Sequence, residues 1–157
     1  MLEFTNQALY LDEMEWADES YVDYPAQRHS PPAGQNIIIV DYDNISHSFS
    51  RGVSVFNDST ITLKLNGEYE RFTGYIGERG LIQGRGGARF ICRVVGDGIE
   101  LFHSGDKFAG ELDYLDIDIK GVKVLQLIID DQWTGMSGYE YVYYWAEATF
   151  YKELHST

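Results

Sequence analysis

Residues 113–131 read DYLDIDIKGVKVLQLIIDD. Leu115, Ile117 and Ile119 alternate with Asp116, Asp118 and Lys120, so one face of the extended chain is apolar and the other charged. That period of two marks a half-buried strand. Gly121 interrupts the run, and residues 122–129 (VKVLQLII) read as a second, more fully buried strand that ends at Asp130 and Asp131. The stretch therefore specifies strand, turn, strand.

The same period extends through the chain. Residues 60–65 (TITLKL) alternate, residues 90–95 (FICRVV) read as another well-buried strand, and residues 139–151 (YEYVYYWAEATFY) as a long β-branched and aromatic one. Asn66-Gly67, Asp97-Gly98, Ser104-Gly105 and Lys120-Gly121 each separate two strand-like runs, and the first two suit turns that need positive φ. Residues 9–20 have room for one helical turn, but Leu9, Leu11, Met14 and Trp16 share no single helical stripe. Residues 24–36 (YPAQRHSPPAGQN) hold all three prolines and read as an irregular polar loop, and residues 77–87, with five glycines, as a second loop. Many short strands with glycine-rich turns argue for an all-β antiparallel sandwich or barrel. The 157 residues suffice for one domain with its own core, taken as residues 1–157.

Acids outnumber bases by 25 to 12, giving a net charge of −13. A nucleic-acid backbone and an anionic membrane surface both repel such a chain, so neither is an expected partner. No apolar run approaches the roughly 20 residues of a spanning helix. Cys92 stands alone inside an apolar run, which excludes an internal disulfide and suggests a buried small hydrophobe. Asp41-Tyr42-Asp43-Asn44 begins like a calcium loop, but Ser46 and Gly52 stand where that loop needs glycine and glutamate; a polar turn is expected. Arg85-Gly86-Gly87, a single copy in an acidic chain, reads as flexible loop. His29, His47, His103 and His155 show no metal spacing. Asp130, Asp131, Glu140 and Glu147 could supply a glycosidase pair, but acids are too abundant here for that to be specific.

Five tyrosines and two tryptophans lie within residues 133–151. In an extended strand Tyr141, Tyr143 and Trp145 face one way and Val142 and Tyr144 the other, so one set belongs to the core. Trp133 and Tyr139, in the loop after Asp131, are the better surface candidates, with Tyr141 beside them. A sugar presents C–H faces that stack on such rings, and hydroxyls that need carboxylates and amides. The aromatic and acidic residues around this loop suit a glycan ligand, with Asp130, Asp131, Glu78 and Arg79 as the candidates to bond its hydroxyls; packing of the rings in the core is the alternative reading. The same aromatic surface would also suit a protein partner.

The order of several segments resembles the NPCBM family of carbohydrate-binding modules, also classed as family 51. The segments are residues 10–16 (YLDEMEW), 52–62 (GVSVFNDSTIT), 65–72 (LNGEYERF), 75–77 (YIG), 95–98 (VGDG) with Leu101 and Ser104-Gly105, 117–127 (IDIKGVKVLQL) and 145–148 (WAEA). The resemblance implies a galactose-binding-like jelly roll, attached to a glycosidase in a secreted bacterial protein. Such a module is non-catalytic and binds galactose-containing glycans. Read as a whole native chain, residues 1–13 (MLEFTNQALYLDE) lack the basic start and apolar centre of a signal peptide, and the expectation would then be cytoplasmic. The resemblance also implies a structural calcium ion, for which Glu147, together with Asp12 near the N-terminal strand, could supply ligands. This chain departs from the family pattern at two positions where histidines often stand, here Phe56 and Val142. It departs again at Glu78-Arg79, where an acidic stretch is usual.

Overall fold

A computed structural model describes residues 7–22, 24–31, 37–79, 88–132 and 141–152. The elements are β1 (Ala8–Tyr10), β2 (Asp18–Tyr21), β3 (Gln27–His29), β4 (Ile37–Val40), β5 (Ser46–Phe49), β6 (Gly52–Phe56), β7 (Ser59–Lys64), β8 (Tyr69–Glu78), β9 (Arg89–Gly96), β10 (Ile99–His103), β11 (Lys107–Phe108), β12 (Leu112–Asp118), β13 (Val124–Asp131) and β14 (Val142–Lys152). They form two six-stranded antiparallel sheets and a separate hairpin. The first sheet runs β12-β8-β14-β6-β3, with β1 also on β14. The second runs β10-β9-β13-β7-β2, with β11 also on β9. The hairpin is β4-β5.

The inward residues of both sheets make one apolar core. Val53, Val55, Phe72, Ile76, Tyr143, Trp145 and Phe150 from the first sheet meet Ile61, Leu63, Phe90, Cys92, Val94, Leu125, Leu127 and Ile129 from the second. Phe72 stacks on Phe150 with ring centroids 4.7 Å apart, and Phe90 tilts against Tyr143 at the same separation. Leu115, Ile117 and Ile119 are buried as their alternation requires. The expected facing of the last strand holds too: Tyr141, Tyr143 and Trp145 are interior, and Tyr144 is half-buried on the outer face. Cys92 is fully buried, and burial pushes its thiol pKa well up.

The strand containing residues 90–95 is less enclosed than its composition suggests. Phe90, Cys92 and Val94 are buried, whereas Ile91, Arg93 and Val95 are partly exposed. β13 alternates in the same way. Only one face of the second sheet packs against another layer, so its strands behave as antiparallel sheets commonly do, apolar inside and wet outside. Residues 24–36 also contain more order than a loop: Gln27–His29 pair with β6 as an edge strand. Residues 9–20 supply strand ends and a tight turn instead of a helix.

Asn66, Gly67, Asp97 and Gly98 all take positive φ, as their sequence suggests. Only Asp97-Gly98 closes a hairpin within a sheet, between β9 and β10. Asn66-Gly67 carries the chain from β7 in the second sheet to β8 in the first. Residues 41–44 form the polar turn between β4 and β5, where Asp41 accepts hydrogen bonds from the backbone N–H groups of Asp43 and Ile45 and contacts His47 at 2.7 Å.

The hairpin β4-β5 lies on the outer face of the first sheet. Ile37, Ile39 and Phe49 bury Ala146 and pack against Tyr75, Leu112 and Tyr144. It covers the middle of that face and leaves the sheet open on either side.

Candidate functional site

Five of the expected ligand residues are described, and they lie at one end of the sandwich, where β8 and β13 finish and β14 begins; three of the five, Glu78, Asp131 and Tyr141, are buried. Glu78 is fully buried at the end of β8, directly opposite Tyr143 in register. Asp131 is buried at the end of β13, opposite Phe90. Burial, then the charges of Asp131 and Glu78, push the Tyr143 hydroxyl pKa far up. Tyr141 is also fully buried; its N–H donates to Asn57 Oδ1 at 3.2 Å, and the Asn57 N–H donates to the Tyr141 carbonyl at 3.0 Å. The Asp131 N–H donates to Asp58 Oδ1 at 2.6 Å, and partial burial raises the pKa of Asp58. These groups brace the strand ends. Asp130 is exposed and Arg79 half-buried, but their strands belong to different sheets. Trp133, Tyr139 and Glu140 lie outside the described residues.

The open surface at this end lies on the outer face of the first sheet. Phe56 and Val142 are direct cross-strand partners on β6 and β14. Tyr24 meets Phe56 edge-on with centroids 5.9 Å apart, and Tyr24 is 54% exposed. With Pro25 and Gln27 they line an open cavity of about 300 Å³. Tyr24 and Gln27 belong to the proline-bearing segment whose composition marks an irregular loop. Their signal was the flanking of that segment by β-compatible residues, and only pairing with β6 turns it into a surface. Such a shallow, aromatic-edged hollow can hold a small ligand by ring contact.

At the N-terminal turn, Asp12 is buried and joined to Arg51 by two hydrogen bonds, Nε to Oδ1 at 3.1 Å and Nη2 to Oδ2 at 2.9 Å. The Ser30 hydroxyl donates to the same carboxylate at 2.7 Å. The carbonyl oxygens of Leu11, Asp12 and Met14 converge on Arg28 Nη1, at 3.4, 3.1 and 2.7 Å. Arg28 in turn lies 3.7 Å from the centre of the Trp16 ring. Calcium needs six to eight oxygen ligands. Here the acceptors that could supply them already carry guanidinium donors. Glu147 is exposed in a bulge of β14. Among the described residues no three His, Cys, Asp or Glu side chains gather as a metal cluster. The groups present do not fit a calcium shell built on Asp12 and Glu147.

The sequence profile of the NPCBM/NEW2 domain family matches residues 7–151, and the chain belongs to that family. Among solved structures, the CBM51 module of Clostridium perfringens GH95, in complex with methyl-galactose, superposes with a TM-score of 0.74 at 21% identity, over 92% of this chain and 99% of that one. The tandem CBM51 modules of Sp3GH98, a family 98 glycoside hydrolase from Streptococcus pneumoniae SP3-BS71, give 0.79 at 18% identity, over 98% of this chain and 49% of that one. The CBM51-2 and INT domains of Clostridium perfringens ZmpB, in complex with GlcNAc, give 0.72 at 18% identity, over 94% of this chain and 32% of that one. At these identities the likeness speaks for the fold, a carbohydrate-binding-module β-sandwich. This chain spans about a third of the ZmpB chain and about half of the tandem one. No curated protein sequence matches it.

Proposed function

We propose that the domain is a non-catalytic carbohydrate-binding module that holds a glycan terminus at the loop end of the sandwich. Membership of the NPCBM/NEW2 family over residues 7–151 carries this reading. Two structures of the same fold hold sugars, methyl-galactose in one and GlcNAc in the other, which supports a single hexose as the unit recognised. The open hollow lined by Phe56, Tyr24, Pro25 and Gln27 supports a binding role, since it offers an aromatic edge to a small ligand. Phe56 and Val142 put apolar surface where polar donors would grip galactose hydroxyls. An N-acetyl or deoxy hexose, with a methyl group to bury, therefore fits better than unsubstituted galactose. Trp133 and Tyr139, outside the described residues, remain the proposed stacking partners. The module would serve a secreted bacterial enzyme as its targeting domain.

A glycan array followed by calorimetry tests this. Binding to hexose-terminated glycans in the micromolar to millimolar range is expected, weak because a small polar ligand on an open face gains little net free energy. Tyr24→Ala and Trp133→Ala should each weaken it. Absence of binding to every glycan, with and without calcium, would overturn the proposal. A second reading, protein contact, is favoured by the exposure of Tyr21, Val22 and Tyr24 at 48, 55 and 54%. Self-association in sedimentation that Tyr24→Ala abolishes would establish it instead.

A further inference from the structure

On the other side of the β4-β5 hairpin, the outer face of the first sheet holds a second and larger cavity, of about 630 Å³. Its floor is Thr73 and Thr149, which face each other across β8 and β14 and are both buried. One wall is Tyr75 and Tyr114, direct partners on β8 and β12, with centroids 4.9 Å apart and planes at 57°. Phe49 of the hairpin backs Tyr75 at 4.9 Å, so that ring is held in place, while Tyr114 is 54% exposed. Tyr151 and Tyr10 complete the aromatic lining.

Glu147 stands at the rim. It sits in the β14 bulge between Ala146 and Thr149, at φ +52°, its N–H donating to the Arg51 carbonyl at 2.9 Å. A non-glycine residue in that conformation carries a cost of order 1 kcal/mol or more. Its carboxylate is exposed and forms no hydrogen bond or ion pair with any described residue. The neighbouring cations, by contrast, are spent. Arg51 is held by Asp12 and by Glu13 at 2.6 Å, with its flat face 3.6 Å from the centre of Tyr10. Arg71 is bidentate to Asp116, at 2.7 and 2.6 Å.

The uncommitted charge is thus negative, in a chain of net charge −13, and a phosphate, sulfate or uronate would be repelled. Of the polar groups left over, the Glu147 carboxylate accepts hydrogen bonds, as do the lone pairs of Thr149 Oγ1, whose proton goes to the Glu147 carbonyl at 2.8 Å, and the hydroxyls of the lining tyrosines can accept or donate. A fitting ligand is neutral, rich in hydroxyl donors, and has C–H faces for tyrosine rings. We propose that this cavity is a second carbohydrate site, taking a neutral hexopyranose whose adjacent hydroxyls donate to Glu147 while the ring rests on Tyr114 and Tyr75. The domain then carries two sites on one face, separated by the hairpin, and branched or clustered glycans gain from both by effective concentration.

The test is amide chemical-shift mapping on the whole chain, titrated separately with methyl β-galactoside, methyl α-mannoside, N-acetylglucosamine and glucuronate. At least one neutral sugar should shift the amides of Tyr75, Tyr114 and Glu147, and glucuronate should not. Glu147→Gln should weaken that response about tenfold, as expected for loss of charge-assisted hydrogen bonds, and Tyr114→Ala should remove it. Both positions are exposed, and a thermal melt checks that each variant folds. Tyr24→Ala should leave these shifts intact, which separates this site from the one near Phe56. No response of these amides to any neutral sugar, or an equal response to glucuronate, would overturn the assignment even if sugar binding near Phe56 is found.

Discussion

Arg51 grips Asp12 side-on through two hydrogen bonds, from Nε and Nη2, while its guanidinium plane packs against Tyr10. The pair ties β6 to the N-terminal turn across 39 residues of chain. The Asp12 side chain is 1% exposed and that of Arg51 16%, so its value lies less in attraction than in the cost of leaving one partner alone. Arg51→Met should destabilise the domain by about 3–5 kcal/mol in urea unfolding, because it strands a buried carboxylate. Adding Asp12→Asn should recover part of that loss. Equal stability of the single and double variants would show that the pair is not coupled.

With Arg28 and Arg51 occupying the oxygen acceptors of the N-terminal turn, bound calcium should contribute nothing to folding. The melting temperature is expected to be the same in EDTA as in a millimolar excess of calcium. A calcium-dependent rise would mean that an oxygen shell assembles despite the arginines.

Gly52 is required by the docking of the β4-β5 hairpin. It takes φ +146°, and a Cβ there would approach Ile37 Cδ1 to 2.8 Å and Ala146 Cα to 2.9 Å, besides colliding with the Trp145 carbonyl. Gly52→Ala should cost roughly 2–4 kcal/mol, strain and overpacking together. Gly98→Ala is the control, since nothing lies within 4 Å of its added methyl; its penalty should come from positive φ alone and be smaller.

Asp97 gives the pH dependence a definite sign. Its carboxylate accepts the Val124 and Lys123 N–H groups, which holds its pKa below the usual carboxylate range. A carboxyl whose pKa is depressed by folding adds stability above its unfolded pKa, and that stability fades as pH falls through the folded value. Asp97→Ala should therefore melt lower than the parent at pH 7, and the gap should close below about pH 4. A gap that persists unchanged at pH 3 would assign the effect to the turn geometry instead of the charge.

The longer strands are legible in the sequence alone, whereas β3, in a proline-bearing segment, is not. Alternation at Leu115, Ile117 and Ile119 and the facing of Tyr143 and Trp145 follow from a side-chain period that needs no partner to be read. Positive φ at Asn66 and Asp97 is equally local. Segment order carried the family resemblance as well. Which polar and aromatic residues stay exposed follows only from the tertiary structure. Glu78, Asp131 and Tyr141 look like surface groups in a list of polar and aromatic residues, yet register and sheet stacking turn them inward. Tyr24 and Phe56, or Tyr75 and Tyr114, become neighbours only when β3 pairs with β6 and β8 with β12. Those pairings join residues far apart in the chain, so no local pattern encodes them. They are fixed by burying one continuous core between two sheets.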